Sequence, residues 1–155
     1  MSTAVAGGPV SRTPPRLLMR LVVNPVVRTV LRSPAGRWCG PLLLLEVVGR
    51  RTGRRRRIPV VGHVSSGRVY ALTDAPWARN FTGGAPVVVT RRGRRTAARG
   101  VLLDDPVEAA GVVRDVVAAD GARALGLVLP ADRSPTDAEL CALRRVVLLA
   151  GLEAR

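Results

Sequence analysis

The sequence predicts a mainly β protein of the α+β class: an antiparallel barrel of about six strands, with an N-terminal helical region and further helices inserted late in the chain. Short apolar segments bounded by turn residues recur from residue 42 to residue 103, and neighbouring segments follow one another as hairpins. This stretch shows no alternation of strands with long helices, so a parallel sheet is not expected. Several short strands in one chain of 155 residues are typical of a small barrel.

Six segments combine β-forming residues with flanking turn residues. We predict strands at Leu42–Val48, Arg56–Val64, Arg68–Thr73, Pro86–Thr90, Arg94–Leu103 and Arg145–Leu152. Tight hairpin turns are predicted around Ser65–Gly67 and Arg92–Gly93, where a glycine is available. Because Pro59 has no N–H to donate, it indicates an edge position or a bulge within the second strand.

Three segments have helical patterns. From residue 16 to residue 32, Arg or Asn recurs at every fourth position opposite an apolar side, and Pro25 is expected to kink this helix. A helix over Val107–Ala119 is predicted to have Asp105 as its N-cap and Pro106 at its first position. A short helix is predicted to end near Leu143. Residues 1–14 are rich in small and turn-forming residues, which predicts a disordered tail before a single domain at residues 15–155.

The charge of the chain is strongly positive and unevenly distributed. All 25 basic residues are arginine, and the formal net charge is +14. Residues 1–100 hold 19 arginines and two acidic residues, whereas residues 101–155 hold six arginines and nine acidic residues. A first arginine cluster (Arg50–Arg57) and a second (Arg91–Arg95) indicate an anionic partner: nucleic acid, anionic lipid, or a phosphorylated or carboxylated small molecule. The second cluster is equally well explained as a solvated hairpin tip.

Side chains that commonly carry out catalysis are scarce in this sequence. His63 is the single histidine, and its place within a predicted strand is typical of a packed residue. The two cysteines, Cys39 and Cys141, lack metal-ligand spacing and are expected to be buried thiols in a reducing cytoplasm. No nucleophile elbow, dinucleotide-binding motif or P-loop is present. We therefore predict no metal site and no catalytic side chain, and expect any chemistry to come from a bound cofactor.

Two motifs taken together resemble a known family. The first is Gly49-Arg50-Arg51-Thr52-Gly53 followed by Arg56 and Pro59, and the second is Trp77-Ala78-Arg79-Asn80-Phe81. Their residue types and spacing are similar to those of the deazaflavin (coenzyme F-420)-dependent nitroreductase and quinone reductase family. The resemblance covers about residues 20–103 and implies a split β-barrel related to the FMN-binding pyridoxamine oxidase fold. It also implies hydride transfer from reduced coenzyme F-420 to a quinone, nitroaromatic or similar small organic acceptor.

The resemblance further implies a binding site for this cofactor, which carries a phosphodiester and an oligoglutamate tail. The implied site residues are Arg50, Thr52, Gly53, Arg56, Arg57, Ile58, Pro59, Trp77 and Asn80. The arginines would contact the phosphate or the tail, because a planar guanidinium makes bidentate bonds to such groups. The two turn residues would bring backbone N–H groups to an anion. Ile58 and Pro59 would pack against the ring, beside a wall formed by Trp77 and Asn80.

The sequence departs from the family pattern in two places. The segment before Trp77 is only Asp74–Pro76, where the family has a longer loop, and Asp74 has the wrong charge for a phosphate contact. The additional arginines of the first cluster would compensate for this difference. Tyr70 is the only tyrosine, whereas the better-known nitroreductase of the family has a tyrosine-rich substrate wall. We therefore do not expect nitroimidazole reduction, and either a changed substrate or a lost activity would fit this difference.

Other interpretations remain open. A related barrel would bind FMN, haem or another anionic ligand without catalysis. Nucleic acid is supported by the charge, but the few aromatic residues argue against it as the partner. The helix over residues 16–32 would allow peripheral membrane contact. The stretch Asn80–Thr90, 11 residues without a charged side chain, is too short for a spanning helix, so we expect no membrane span. Arginines interrupt the N-terminal apolar residues, so we expect no secretory signal. We expect a cytoplasmic protein, with membrane association left open, and a monomer or homodimer.

Overall fold

A computed structural model describes residues 11–12, 41–125, 127–128, 135–143 and 145–154. The predicted helix over residues 16–32 and most of the predicted disordered tail lie outside these residues. Within them, the strands are β1 Ser11–Arg12, β2 Leu42–Val48, β3 Arg55–Ser65, β4 Arg68–Thr73, β5 Ala85–Arg91, β6 Arg94–Leu102, β7 Leu127–Val128 and β8 Arg145–Ala150. The helices are α1 Pro106–Asp120 and α2 Asp137–Leu143, with 3-10 helices at Pro76–Phe81 and Ala122–Leu125.

Six of these strands form a closed barrel in the order β2-β3-β4-β8-β6-β5. Every neighbouring pair is antiparallel, and β5 returns to pair with β2. The predicted antiparallel barrel of six strands is therefore confirmed, and each predicted strand lies within one or a few residues of its observed bounds. Pro59 pairs with Leu44 of β2, and β3 begins to pair with β4 only at Gly62. At Pro59, β3 therefore pairs with only one of the described strands. This agrees with the edge position that was predicted because proline has no N–H to donate.

Two hairpin turns join the strands at one end of the barrel. Ser66 and Gly67 have φ values of 49° and 73°, and Arg92 and Gly93 have values of 50° and 78°. Two successive residues in the left-handed region are the feature of the type I′ turn, whose twist matches that of paired strands. A glycine at the second position removes the steric cost there, which explains why both turns were readable from the sequence.

The barrel interior is filled by alternate residues of its strands. The buried members of this inner cluster are Leu43, Leu45, Val47, Val60, Val69, Ala71, Ala78, Phe81, Val87, Val89, Val147 and Leu149. Two of them, Ala78 and Phe81, come from the 3-10 helix, which inserts between β4 and β5. A Cβ on Gly100 would lie 2.3 Å from Cδ1 of Phe81, so only glycine leaves room for this ring against β6. The 3-10 helix is therefore anchored in the core.

A second core lies between the barrel and the two α-helices. Asp105 Oδ1 accepts a hydrogen bond of 2.9 Å from the Val107 N–H, which confirms the predicted N-cap of α1. The helix buries Val113 and Val116 against Tyr70 of β4 and Val146 of β8. Because these strand residues alternate with those of the inner cluster, α1 covers the outer surface of the barrel.

Polar contacts also connect β3 to α1. His63 Nδ1 lies 2.8 Å from Asp120 Oδ2, and Ser65 Oγ donates to Asp115 Oδ2 at 2.5 Å. Both strand residues are buried, at 7% and 6% exposure. Buried polar groups need such partners, because an unpaired one would lose its contact with water without compensation. His63 is therefore a packed residue that helps to attach α1, as expected from its strand position.

The short strands β1 and β7 form a separate antiparallel sheet, with Ser11 opposite Val128 and Arg12 opposite Leu127. Ser11 and Arg12 fall within the segment predicted as a disordered tail, and the structure pairs these two residues with β7. No helix within the described part of the chain is long and apolar enough to cross a membrane.

The two arginine clusters lie at opposite ends of the barrel. At the end called upper here, β2 and β4 finish and β3 and β5 begin, and Arg55 pairs with Val48. At the lower end, Arg91 pairs with Leu43 near the start of β2. Five residues of strand separate these positions, about 17 Å at 3.3 Å per residue. Most residues of the two clusters are therefore far apart, although Arg57 and Arg95 both reach the Glu46 carboxylate on the outer face of the wall.

Candidate functional site

The turn between β2 and β3 has a closed set of backbone hydrogen bonds. Gly53 N donates to Gly49 O at 2.8 Å, and Gly49 N donates to Arg54 O at 2.9 Å. Thr52 Oγ1 accepts from Arg54 N at 3.4 Å. Gly53 has φ of 63°, the left-handed conformation that favours glycine. The turn is held internally, so the N–H groups of Gly49, Gly53 and Arg54 are already used within it.

Arg50 connects this turn to the 3-10 helix. Its backbone N–H donates to Asn80 Oδ1 at 3.2 Å. Its guanidinium Nη1 lies 3.2 Å from the carbonyl oxygen of Thr82 and 3.5 Å from that of Arg79. The two sequence motifs, 30 residues apart along the chain, are thus in direct contact at the upper end of the barrel.

Strand alternation divides the remaining arginines of the first cluster between two faces of β3. Arg56 pairs with Val47, and its face is shared with Ile58, which packs against the inner cluster. Arg56 therefore emerges at the mouth of the barrel. Arg57 pairs with Glu46 on the opposite, outer face of the wall, and Arg55 belongs to that same face.

Glu46 is the carboxylate that the outer face offers to these arginines. Its Oε1 lies 3.8 Å from Arg57 Nε and 3.2 Å from Arg95 Nη2 of β6. The Glu46 side chain is only 12% exposed, whereas the two arginines are 44% and 61% exposed. Pairs this open to solvent stabilise a fold only slightly. The ion pair with Glu46 nevertheless compensates part of the positive charge of Arg57.

Four other arginines of the first cluster have no such compensation. These residues are Arg51, Arg54, Arg55 and Arg56, all exposed. Within the described ranges no side chain or backbone group bonds to their guanidinium groups. They leave an uncompensated positive charge around the upper end of the barrel, which favours an anion there.

An aromatic side chain stands at the same end. The rings of Trp77 and Phe81 meet edge to face, with centroids 6.1 Å apart and planes at 89°. Trp77 and Ile58 are both partly buried against the inner cluster. Pro59 is buried on the opposite face of β3, where it pairs with Leu44.

The structure thus brings most of the predicted site residues together and separates two of them. At the upper end of the barrel lie Arg50, Thr52, Gly53, Arg56, Ile58, Trp77 and Asn80. Arg57 and Pro59 lie on the outer face of the barrel wall. Successive residues of a strand point to opposite faces, so odd- and even-numbered residues of β3 are on different faces. The separation of these two residues from the others could therefore be predicted from the sequence once β3 was assigned.

Two residues of this region were missed by sequence reasoning. Glu46 is the single acidic residue before Asp74, and this isolation among arginines was a signal for its role as their partner. Arg145 Nη1 donates to the carbonyl oxygen of Asp74 at 2.8 Å and so holds the short segment that precedes the 3-10 helix. No local pattern points to Arg145, because the two residues are 71 positions apart.

The second arginine cluster makes contacts of a different kind at the lower end. Arg91 Nη1 donates to the backbone carbonyl of Glu153 at 2.8 Å. Arg95 reaches the Glu46 carboxylate. Arg92 and Arg94 are exposed at the hairpin tip. These contacts are those of a solvated hairpin, one of the two interpretations that the sequence allowed.

Comparison with known proteins adds little to this geometry. No protein-family model matches the sequence, and no curated protein matches it. Among solved structures, the chain is similar to an FAD- and haem-binding protein from Mycobacterium smegmatis, with a TM-score of 0.45 and 16% sequence identity. That alignment covers 92% of this chain and 68% of that chain. The function has to be inferred from the site itself.

Proposed function

We propose that this chain is an oxidoreductase that binds coenzyme F-420 at the upper end of its barrel and passes a hydride to a small organic acceptor, such as a quinone or a nitroaromatic. The observation that supports this most directly is the 3.2 Å hydrogen bond from the Arg50 N–H to Asn80 Oδ1. It joins the two motifs on which the family resemblance rests. Two motifs that matched a family pattern only by coincidence would have no reason to meet.

The donor groups at this end fit the anionic part of the cofactor. A phosphodiester and an oligoglutamate tail present several negative charges, and uncompensated guanidinium groups surround the barrel mouth. Arg56 is on the same face as Ile58. Its guanidinium group can therefore bind two oxygens of the phosphate or the tail while the deazaflavin ring lies toward Ile58. The turn contributes less, because its Gly53 N–H is donated to Gly49 O.

The apolar groups at the mouth fit the ring. Trp77 and Ile58 are partly buried and offer an aromatic and an aliphatic surface. Packing of the ring against them would remove water from the reacting face and hold an acceptor close to it. When bound, the reduced deazaflavin supplies the hydride itself. His63 and Cys141 both lie on the side covered by the α-helices, so the proposed chemistry uses positioning and charge rather than an acid or base from these residues.

Cofactor titration tests this proposal. Purified protein is mixed with oxidised coenzyme F-420, and binding is followed by the fluorescence of the cofactor, with FMN and FAD titrated in parallel. We expect micromolar or tighter binding of coenzyme F-420 and weaker binding of FMN, which lacks the oligoglutamate tail. Tighter binding of FMN would identify the chain as a flavin-binding barrel instead. No binding of any of the three would refute the proposed function.

Turnover is tested separately with the reduced cofactor. Reduced coenzyme F-420 is mixed with the protein and a quinone, and its reoxidation is followed by absorbance. If the protein binds the cofactor but neither quinones nor nitroaromatic compounds reoxidise it, the protein is a cofactor-binding protein without this activity. That result would contradict the oxidoreductase part of the proposal.

A further inference from the structure

Arg50 differs from the uncompensated arginines of the first cluster because its polar groups are already engaged. The backbone N–H is donated to Asn80, and the guanidinium is directed to the carbonyl oxygens of Arg79 and Thr82. All of these contacts go to one element, the 3-10 helix and the residue that follows it. An arginine oriented in this way is not directed toward a ligand.

The carbonyl groups that Arg50 contacts lie at the C-terminal end of this helix, and that of Arg79 also accepts a bond of 3.3 Å from the Thr82 N–H. The last carbonyls of a helix have no N–H ahead of them within the helix, and a cation is favourable at that end. At the other end of this helix, Ala75 makes no side-chain cap, and Pro76 occupies the first turn. Within the described residues, Arg50 is therefore the side chain that caps the 3-10 helix.

The position of the helix determines the position of Trp77. Phe81 is fully buried and fits against Gly100, and Trp77 packs edge to face on Phe81. One side of the helix is thus fixed by the barrel core and the other by Arg50. Loss of the guanidinium contacts would leave only the bond from the residue 50 N–H to Asn80 Oδ1 on that side, which would loosen the exposed side of the helix and allow Trp77 to turn away from the mouth.

We infer that Arg50 is a positioning residue, which holds the 3-10 helix on the β2–β3 turn and so places Trp77 for the cofactor ring, while Arg56 contacts the anion. This inference rests on the proposed function for the identity of the cofactor. The contact that it assigns to Arg50 exists in the protein without cofactor. The two claims can therefore fail separately.

The first experiment examines the protein without cofactor. In a Trp38→Phe background, Trp77 is the only tryptophan, and acrylamide quenching of its fluorescence reports its exposure. We expect Arg50→Ala to raise the quenching constant about twofold, because the helix loses an attachment and opens locally more often. Arg50→Lys should restore much of the shielding, since an ammonium can still donate to a helix carbonyl. Arg51→Ala, which removes the same charge from the neighbouring residue, should leave the quenching unchanged.

The second experiment separates positioning from anion contact. Dissociation constants for coenzyme F-420 are measured from low to high salt for the wild type, Arg50→Ala and Arg56→Ala. Arg50→Ala should weaken binding about three- to tenfold and lower the salt dependence only slightly, because the hydrogen bonds that it removes go to neutral acceptors. Arg56→Ala should reduce the salt dependence, because it removes an ion pair with the cofactor.

Either experiment can overturn the inference. Equal quenching in the wild type and Arg50→Ala would show that Arg50 does not hold Trp77 in place. A fall in salt dependence as large for Arg50→Ala as for Arg56→Ala would make Arg50 an anion ligand. Absence of cofactor binding in the wild type would refute the proposed function, and the quenching result would still decide whether Arg50 secures the helix.

Discussion

Replacement of Arg56 by alanine is the sharpest test of where the anion binds. Arg56 lies at the mouth of the barrel on the face of Ile58, and Arg55 lies next to it on the outer face. Both guanidinium groups are exposed and uncompensated, so Arg55→Ala is a matched control that removes the same charge from the opposite side of the strand. A difference between the two variants therefore reports contact rather than net charge.

The expected magnitudes differ clearly. A hydrogen bond to a charged group contributes about 1.5–3 kcal/mol, so Arg56→Ala should weaken binding of coenzyme F-420 about 10- to 150-fold. A charge about 10 Å away in water contributes about 0.4 kcal/mol before salt screening, so Arg55→Ala should weaken binding about twofold or less. Fluorescence titration at fixed ionic strength measures both constants. Equal losses in the two variants would refute the assignment of the anion to the barrel mouth.

Three further predictions concern the framework of the site. Gly100→Ala should destabilise the protein by about 1–3 kcal/mol, because its Cβ would overlap the ring of Phe81, and denaturant unfolding should show no such loss for Gly111→Ala, where a Cβ meets nothing within 4 Å. Asp105→Ala should cost about 1 kcal/mol through loss of the α1 N-cap, and an unchanged unfolding midpoint would contradict that cap. Burial raises the pKa of the Cys141 thiol, and nearby carboxylates raise it further. Its alkylation, followed by mass spectrometry in a variant lacking the other cysteine, should therefore begin at a higher pH in the native than in the unfolded protein.

Much of the fold was predictable because it depends on local signals. The apolar run at Leu42–Val48 is bounded by Pro41 and Gly49, and the strand has those limits. Both type I′ turns contain a glycine where the backbone needs one. The N-cap and first-turn proline of α1 likewise act within a few residues. Each of these features is determined by the residues that adopt it, so a pattern along the chain is sufficient.

The long-range contacts were not predictable in the same way. Closure of the barrel by β5 on β2 gives no signal in either strand alone. The link from His63 to Asp120 spans 57 positions and requires α1 to lie across the outer surface. A lone strand histidine indicates a packed residue, but its partner depends on how two separate elements dock. A single sequence does not show which distant positions change together, so it does not reveal which residues of two separate elements are in contact.

The site shows the same limit in a more instructive form. The two motifs meet at one end of the barrel, and yet the arginines within the first motif are not equivalent. Strand alternation separates Arg56 from Arg57, a distinction that follows from the sequence once the strand is known. The role of Arg50 depends instead on the 3-10 helix 30 positions away, which attracts its guanidinium to backbone carbonyls.

The high arginine content is therefore best understood by the partner of each guanidinium rather than by net charge. Arg50 bonds to backbone carbonyls, Arg57 and Arg95 share Glu46, and Arg56 is left uncompensated at the barrel mouth. A polyanion attracted by overall charge would respond about equally to the loss of any of these residues, because long-range attraction depends on their sum. A cofactor bound at the mouth would respond most strongly to Arg56, less to Arg50, and least to Arg57 and Arg95. Measured rank order among these variants would thus distinguish a specific pocket from a generally basic surface.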